Sequence, residues 1–540
     1  MSVEPAVSLT GVEPWPAEFA RRYREEGYWR GESLGALLRE WAGRFAEATA
    51  VVCGDERLSY AELDRRADVQ AAGLRRLGIT SGDRLVVQLP NIGEFVVLLF
   101  ALARCGAVPV LALPAHRRTE IEHLAALSRA VGYVIADLHG GFDYRELAAE
   151  ITAAVSSVRH VLVVGDPGRF TALDSVRADP VPQPPVNPAG VAVLLISGGT
   201  TGKPKLIPRT HDDYAYNARA SAQVCDLSAR DVYLVCLPIA HNFPLACPGL
   251  LGTLGAGGTV VMAPAPSPDV TFGLIKRERV TVTALVPPLT RLWVEATEWE
   301  PGDLSSLRLL QVGGAKLNAQ LARRVGPALG CRLQQVFGMA EGLLNYTRLD
   351  DPDELVMTTQ GRPLSSADEV RIVDQDGTEL APGEVGELWT RGPYTLRGYY
   401  RVPEYNATAF TPSGFFKTGD LVRQLPTGHL VVEGRVKEVI NRGGENISAS
   451  ELEEILLGHP GIVAVAVVGL PDERVGELVC AVIVARPAGT PKLKELKAYL
   501  HERGLARFKQ PDKLVVVDEL PVTAVGKVSR RELVRRLSLH

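Results

Sequence analysis

The sequence predicts an α/β protein: a large N-terminal body of mostly parallel sheet covered by helices, carrying an antiparallel subdomain or barrel, followed by a small α+β unit. Three observations predict it. Between residues 59 and 196 short apolar runs alternate with stretches of helical periodicity. From about Asp368 the runs shorten and gather around turns. After Gly434–Asn446 the remaining hundred or so residues show a helix and strand pattern of their own. At 540 residues the chain is too long for one core, so two or more domains are expected.

Residues 1–50 mix polar and aromatic side chains, Trp15, Trp29 and Trp41 among them, and read as a wrap over the surface of the first domain. Ser59 and Glu62 form a capping box that opens a helix, with Tyr60, Leu63, Ala67, Leu74 and Leu77 at helical spacing up to Gly78. Strands are predicted at Arg84–Leu89 and Ala107–Leu113, with a helix at Gly93–Arg104 between them. Further strands follow at Tyr133–Asp137, His160–Gly165 and Val191–Ile196. The Pro-rich stretch Pro180–Pro188 reads as a surface connection.

Val191–Ile196 is apolar without alternation, which suits a strand buried on both faces. Next comes Ser197-Gly198-Gly199-Thr200-Thr201-Gly202-Lys203-Pro204-Lys205. Glycines without Cβ let backbone N–H groups approach an anion, the hydroxyls add donors, and Lys203 and Lys205 add compact positive charge, so the loop reads as a phosphate cradle. It is not a Walker loop: Gly198 and Gly202 enclose three residues where that motif has four, and Pro204 follows Lys203. Nor is it a Rossmann turn, because the next helix is expected to begin only at the capping box Thr210–Asp213.

The predicted strand Asp231–Pro238 delivers His241-Asn242-Phe243-Pro-Leu-Ala-Cys247-Pro-Gly249, an imidazole, an amide, a ring and a thiol at a strand end, where open α/β sheets place ligands. In isolation His241 and Asn242 would more often be polar groups capping a helix, but their position after a strand favours the ligand site. Strands at Val280–Val286 and from Leu309 come next, the latter ending in Gly313 and Gly314, which admit a flat ligand close to backbone. The strand Arg332–Val336 leads to Phe337–Gly342, where Glu341 is a candidate magnesium ligand beside phosphates. In the antiparallel part, strands are expected at Glu369–Val373, Gly386–Arg391 and Leu430–Gly434, and Asp420 has the two oxygens needed to accept both hydroxyls of a ribose. The last unit is expected to hold a helix capped by Ser448 with Glu451, strands at Val463–Val468, Leu478–Val484 and Lys513–Val517, and a helix at Leu493–Leu500. Lys527 sits on a loop near the end.

Net charge is −4 without a basic run, which argues against nucleic acid or an anionic membrane as partner and leaves small molecules. No apolar stretch is long enough to span a bilayer and residues 1–10 lack the pattern of a signal peptide, so a cytoplasmic protein is expected. The seven cysteines are scattered without paired spacing and read as core residues, not as disulfides or a zinc site.

The segments SGGTTGKPK (197–205), FGMAEG (337–342), TGD (418–420), GRVKEVINRGGEN (434–446) and PVTAVGKVSR (521–530) occur in an order and at separations that resemble the adenylate-forming superfamily of acyl-CoA synthetases, peptide-synthetase adenylation domains and luciferases. The resemblance covers nearly the whole chain. It implies an N-terminal domain of sheets and a distorted β-barrel over residues 1–435 and a small mobile C-terminal domain over residues 436–540. It also implies ATP and Mg²⁺ as cofactors. Ser197 to Lys205 would cradle the β- and γ-phosphates, Glu341 would hold Mg²⁺, and Asp420 and Arg435 would bind the ribose. Gly314, Ala315, Val336, Phe337, Gly338, Met339 and Ala340 would line the adenine and the acyl phosphate. Lys527 would bridge the attacking carboxylate and the α-phosphate, and His241 joins it as a catalytic candidate. Lys437 matches the hinge about which the small domain turns between half-reactions, carrying Lys527 away and the Gly443-Gly444 loop inward.

The HNFPLACPG stretch is similar to freestanding aryl-acid adenylating enzymes of siderophore assembly, which activate salicylate or 2,3-dihydroxybenzoate for the phosphopantetheine thiol of an aryl carrier protein. Asn242 stands where amino-acid-activating relatives place an Asp for the α-ammonium, and an amide suits a neutral phenol. Phe243, Gly313, Gly314, Val336 and Leu344 would complete a flat slot. The position of Cys247 tends to be Ser where the ring bears a second hydroxyl, so salicylate is favoured over 2,3-dihydroxybenzoate. With no room for a carrier domain after Arg530, the acceptor is expected in trans. Free CoA as acceptor, or a catalytically silent ligand-binding homologue, are the alternatives; Lys527, Glu341, Asp420 and the phosphate loop speak against the second.

Overall fold

The computed structural model describes residues 9–197, 203–300, 302–442, 445–472, 475–487, 489–503, 505, 507–523 and 527–537. The capping pattern at Ser59 forms as read: its side chain accepts from the Glu62 N–H at 3.2 Å and starts the helix Tyr60–Arg76. This helix packs beside Gly93–Cys105, which is buried all round and ends in a left-handed Gly106 with φ of 68°.

Two large sheets form the body. The first runs in the order Leu206–Thr210, Val191–Ile196, Val108–Leu111, Arg84–Gln88, Gly132–Ala136, His160–Val164, Thr171–Ala172. Val191–Ile196 is buried through its centre and pairs parallel to Val108–Leu111 on one side. On the other side it pairs antiparallel with Leu206–Thr210. That second strand is absent from the sequence reading, which passed from the Gly-rich loop to the helix at residue 210. The loop therefore joins two antiparallel neighbours. The reason it was missed is that Pro208 and the charged Arg209 interrupt the β pattern of a strand that is buried at every residue.

The second sheet runs in the order Arg362–Pro363, Leu344–Tyr346, Arg332–Gly338, Leu309–Gly313, Val282–Leu285, Val232–Val235, Thr259–Met262, Thr49–Cys53, Glu56–Ser59. Its neighbours from Arg332–Gly338 through Val232–Val235 are parallel, so the segments after residues 235, 285, 313 and 338 emerge at one sheet edge. Within the stretch read as a surface wrap, two of the tryptophans turn inward instead. Trp29 and Trp41 are 3% and 6% exposed, and the Trp29 indole donates to the Pro393 carbonyl at 2.9 Å. Large rings contribute more when buried than when spread over a surface.

Glu369–Val373, Gly386–Arg391, Phe416–Gln424 and Leu430–Arg435 form a four-stranded antiparallel sheet. Its last strand ends at Arg435. The final sheet holds Val439–Arg442, Glu445–Ser448, Ile462–Asp472, Gly476–Ala485 and Lys513–Val516, with the helices Ala449–Leu457 and Leu493–Glu502 packed on its own core. Six of the seven cysteines are buried, Cys53 is partly so, and all are free thiols. Among the described residues no helix is long and apolar enough to cross a membrane.

Candidate active site

A cavity of about 750 Å³ opens where the carboxyl ends of the second sheet, the four-stranded sheet and the C-terminal unit meet. Gly198, Gly199, Thr200, Thr201 and Gly202 lie outside the described residues. The ends of their loop are clasped: Ser197 N–H donates to the Lys205 carbonyl at 2.9 Å, and Lys205 N–H donates to Ser197 Oγ at 3.0 Å. Lys203 is exposed. The Lys205 ammonium lies 3.9 Å from the centre of the Tyr405 ring and 5.6 Å from that of Tyr399.

Tyr399 links this cation to the acid. Its hydroxyl donates to Glu341 Oε1 at 2.9 Å, and Leu396 N–H donates to the Glu341 carbonyl at 2.7 Å. Burial raises the Glu341 carboxyl above its usual range, opposed by the Tyr399 hydrogen bond. Among the described residues no group of three or more His, Cys, Asp or Glu could hold a metal. The Glu341 carboxylate would fit magnesium, which beside phosphates needs only one or two protein carboxylates. It would not fit zinc.

Asp420 is 5% exposed and accepts from Arg435 Nε at 2.8 Å. Burial raises its carboxyl and the Arg435 charge opposes this. Lys527 comes from the C-terminal unit. Its N–H donates to Thr523 Oγ1 at 3.2 Å and its carbonyl accepts from Thr523 N–H at 2.6 Å. Arg530 ties the following helix to Glu438 and Glu453, at 2.8 and 2.7 Å. Burial and then the Arg435 charge lower the Lys527 ammonium, while Asp420, Glu341 and Glu438 oppose this; Lys527, Asp420 and Glu341 line the same cavity.

His241, which follows the strand Val232–Val235, caps the short helix Asn242–Ala246 by accepting from Phe243 N–H at 3.2 Å on Nδ1. Both readings of this residue hold together: it is a cap and it lines the cavity. Burial, reinforced by the Lys527 charge, lowers it to about 4, so the imidazole is neutral near pH 7 with its proton on Nε2. Asn242 Oδ1 accepts from the Tyr214 hydroxyl at 2.9 Å, and its Nδ2 lies 3.4 Å from Cys247 Sγ. The Cys247 thiol is pushed up to about 12 by burial and stays protonated. Flatness comes from Gly313: a Cβ there would stand 2.8 Å from the Val336 carbonyl and 3.1 Å from the Phe243 ring.

The cavity brings together Ser197, His241, Asn242, Phe243, Cys247, Gly313, Gly314, Val336, Gly338, Met339, Ala340, Glu341, Leu344, Asp420, Arg435 and Lys527. Phe337 does not join them. Alternation along Arg332–Gly338 turns Val336 and Gly338 to the cavity and packs Phe337 into the core of the four-stranded sheet. Ala315 and Lys203 are not among its lining residues either. The backbone of Lys437 lies in a 3₁₀ turn, Val436–Glu438, between the last two sheets.

Sequence reasoning missed Tyr399, Tyr405 and the buried trio Arg209, Tyr214 and Asn217. Arg209 is 0% exposed; its guanidinium donates to Asp213 at 2.7 Å, to the Ala340 carbonyl at 3.0 Å and to Asn217 at 3.3 Å. The only available signal was the (i, i+4) spacing of Arg209 and Asp213, which ordinarily marks a solvated helix face.

Comparison with known proteins adds the following. The model of the AMP-binding enzymes matches residues 38–400 and that of the AMP-binding enzyme C-terminal domain matches residues 451–527. The chain is 52% identical over 530 residues to a 2,3-dihydroxybenzoate-AMP ligase of Bacillus subtilis, covering 98% of each chain. It is 55% identical to a salicyl-AMP ligase / salicyl-S-ArCP synthetase of Mycobacterium tuberculosis, covering 99% of this chain and 96% of the other. Among solved structures, the apo structure of MbtA from Mycobacterium smegmatis matches with a TM-score of 0.77 at 53% identity, over 98% of this chain and 99% of that one.

Proposed function

The chain belongs to the family of AMP-binding enzymes, and from that premise we propose that it activates an aryl acid, salicylate in preference to 2,3-dihydroxybenzoate, and passes it to the phosphopantetheine thiol of an aryl carrier protein in siderophore biosynthesis. In the first step a carboxylate oxygen attacks the α-phosphorus of ATP, giving aryl-AMP and pyrophosphate. In the second the thiolate sulfur attacks the aryl carbonyl, giving the thioester and AMP.

The observation that carries this reading is that one cavity holds a flat apolar slot ending in Asn242 and Cys247 together with the acids Asp420 and Glu341 and the amine of Lys527. Two anions meet in the first step, and a cation between them lowers the barrier. Lys527 takes that position, and neutral His241 offers Nε2–H to the carboxylate. Asp420 and Arg435 hold the ribose, and Glu341, steadied by Tyr399, holds Mg²⁺. When bound, magnesium supplies charge neutralisation at the phosphates.

Cys247 favours salicylate because a thiol partners a second ring hydroxyl weakly. The test is a pyrophosphate-exchange panel over substituted benzoates, followed by thioester formation with a phosphopantetheinylated carrier protein against free CoA. Salicylate and the carrier are expected to lead. Much faster exchange with 2,3-dihydroxybenzoate than with salicylate would sink the substrate preference, and efficient transfer to CoA alone would sink the carrier.

A further inference from the structure

Behind the aryl slot lies a buried polar network of which the chemistry above uses only Asn242 and Cys247. Tyr214, on the helix His211–Val224, is 0% exposed and packs its ring 4.8 Å from the Arg209 guanidinium. Its hydroxyl donates to Asn242 Oδ1 at 2.9 Å. Asn242 is itself 5% exposed, and its Nδ2 lies 3.4 Å from Cys247 Sγ, while the Cys247 thiol donates to the Asn242 backbone carbonyl at 3.4 Å. The next helical turn is braced as well, since Asn217 Nδ2 donates to the Ala246 carbonyl at 2.7 Å.

A buried side-chain amide has two orientations that exchange its oxygen and nitrogen, and its neighbours decide between them. Here the neighbour is a phenol. Its hydrogen needs an acceptor, which the Asn242 oxygen supplies and the amide nitrogen would not. The Asn242 N–H₂ group is thereby turned to the Cys247 side, and both residues line the slot. A ring entering the slot meets a fixed N–H donor. An ortho-hydroxyl oxygen can accept from it, whereas an ortho-amino group has its lone pair drawn into the ring and presents hydrogens of its own.

We propose that Tyr214 is a positioning residue that locks the Asn242 amide with its donor toward the slot, and so makes the slot select ortho-hydroxy over ortho-amino benzoic acids. This rests on the aryl-acid reading given above.

Tyr214→Phe removes the hydroxyl and keeps the ring on Arg209. Pyrophosphate exchange with salicylate and with anthranilate should show the ratio of kcat/KM for the two acids falling about tenfold, the worth of one buried hydrogen bond. The change should appear mainly in the KM of the acids, with the KM of ATP unmoved. An unchanged ratio in a variant that melts cooperatively, or an equal loss for both acids, overturns the proposal. Asn242→Asp supplies an independent measurement: one carboxylate oxygen takes the Tyr214 hydrogen and the other offers an acceptor to the slot, so the ratio should move the same way. If Tyr214→Phe does not fold, an unmoved ratio in Asn242→Asp overturns the proposal by itself. Absence of exchange with any benzoate in the unaltered enzyme would instead overturn the functional reading, and this inference with it.

Discussion

Lys527 lies against Gly314: a Cβ built on the glycine would stand 3.5 Å from the lysine Cε and 3.3 Å from Val286 Cγ1. A residue of the C-terminal unit thus passes over the end of the strand Leu309–Gly313 into the cavity. Lys527→Ala should lower pyrophosphate exchange by about a hundredfold or more, the usual scale for removing one charge-stabilising group. Thioester formation from supplied aryl-AMP should be spared. Equal loss of both steps would contradict the assigned role.

Gly314 has φ of 83°, so Gly314→Ala combines backbone strain with contact at Val286. A loss of about 1–2 kcal/mol in stability is expected. Chemical denaturation measures that, and exchange should fall more than stability alone would account for, because the strained residue lines the cavity.

Tyr399→Phe leaves Glu341 without the phenol that steadies it. The magnesium concentration for half-maximal ATP binding, measured by calorimetry, should rise about tenfold. Affinity for the aryl acid should stay the same.

Cys247→Ser replaces a weak hydrogen-bonding group with a strong one at the floor of the slot. The ratio of kcat/KM for 2,3-dihydroxybenzoate over salicylate should rise by about tenfold. A ratio unaffected by the change would separate Cys247 from substrate choice.

His211 is 2% exposed, accepts from Leu34 N–H at 3.2 Å, and is lowered by burial from 6.5 to about 4. Between those values the unfolded chain binds a proton that the folded chain does not, so stability falls as pH falls through the window. The full effect is about 3 kcal/mol. Asp368, raised by burial to about 7, acts in the opposite sense, so the comparison must be with a variant. His211→Asn keeps an acceptor for Leu34. The stability advantage of the native chain over it, from urea unfolding, should shrink between about pH 7 and about pH 4.

Much of the fold could be read from the chain because its signals are local. The Thr210 and Asp213 capping box forms with bonds of 2.7 and 3.1 Å, and the strand Val191–Ile196 keeps the bounds its apolar run implied. The strand Leu206–Thr210 could not be read, since its place is set by pairing across the Gly-rich loop, and Pro208 and Arg209 interrupt its pattern.

Short motifs in the sequence named the candidates for a phosphate, a ribose, a metal and a flat acid. Folding across long separations set how those side chains are held. Tyr399 reaches Glu341 across 58 residues, Tyr214 reaches Asn242 across 28, and Arg209 reaches Ala340 across 131. Such partners leave no local pattern. A buried donor needs an acceptor within hydrogen-bond distance, and chain folding, not sequence spacing, decides which one is there.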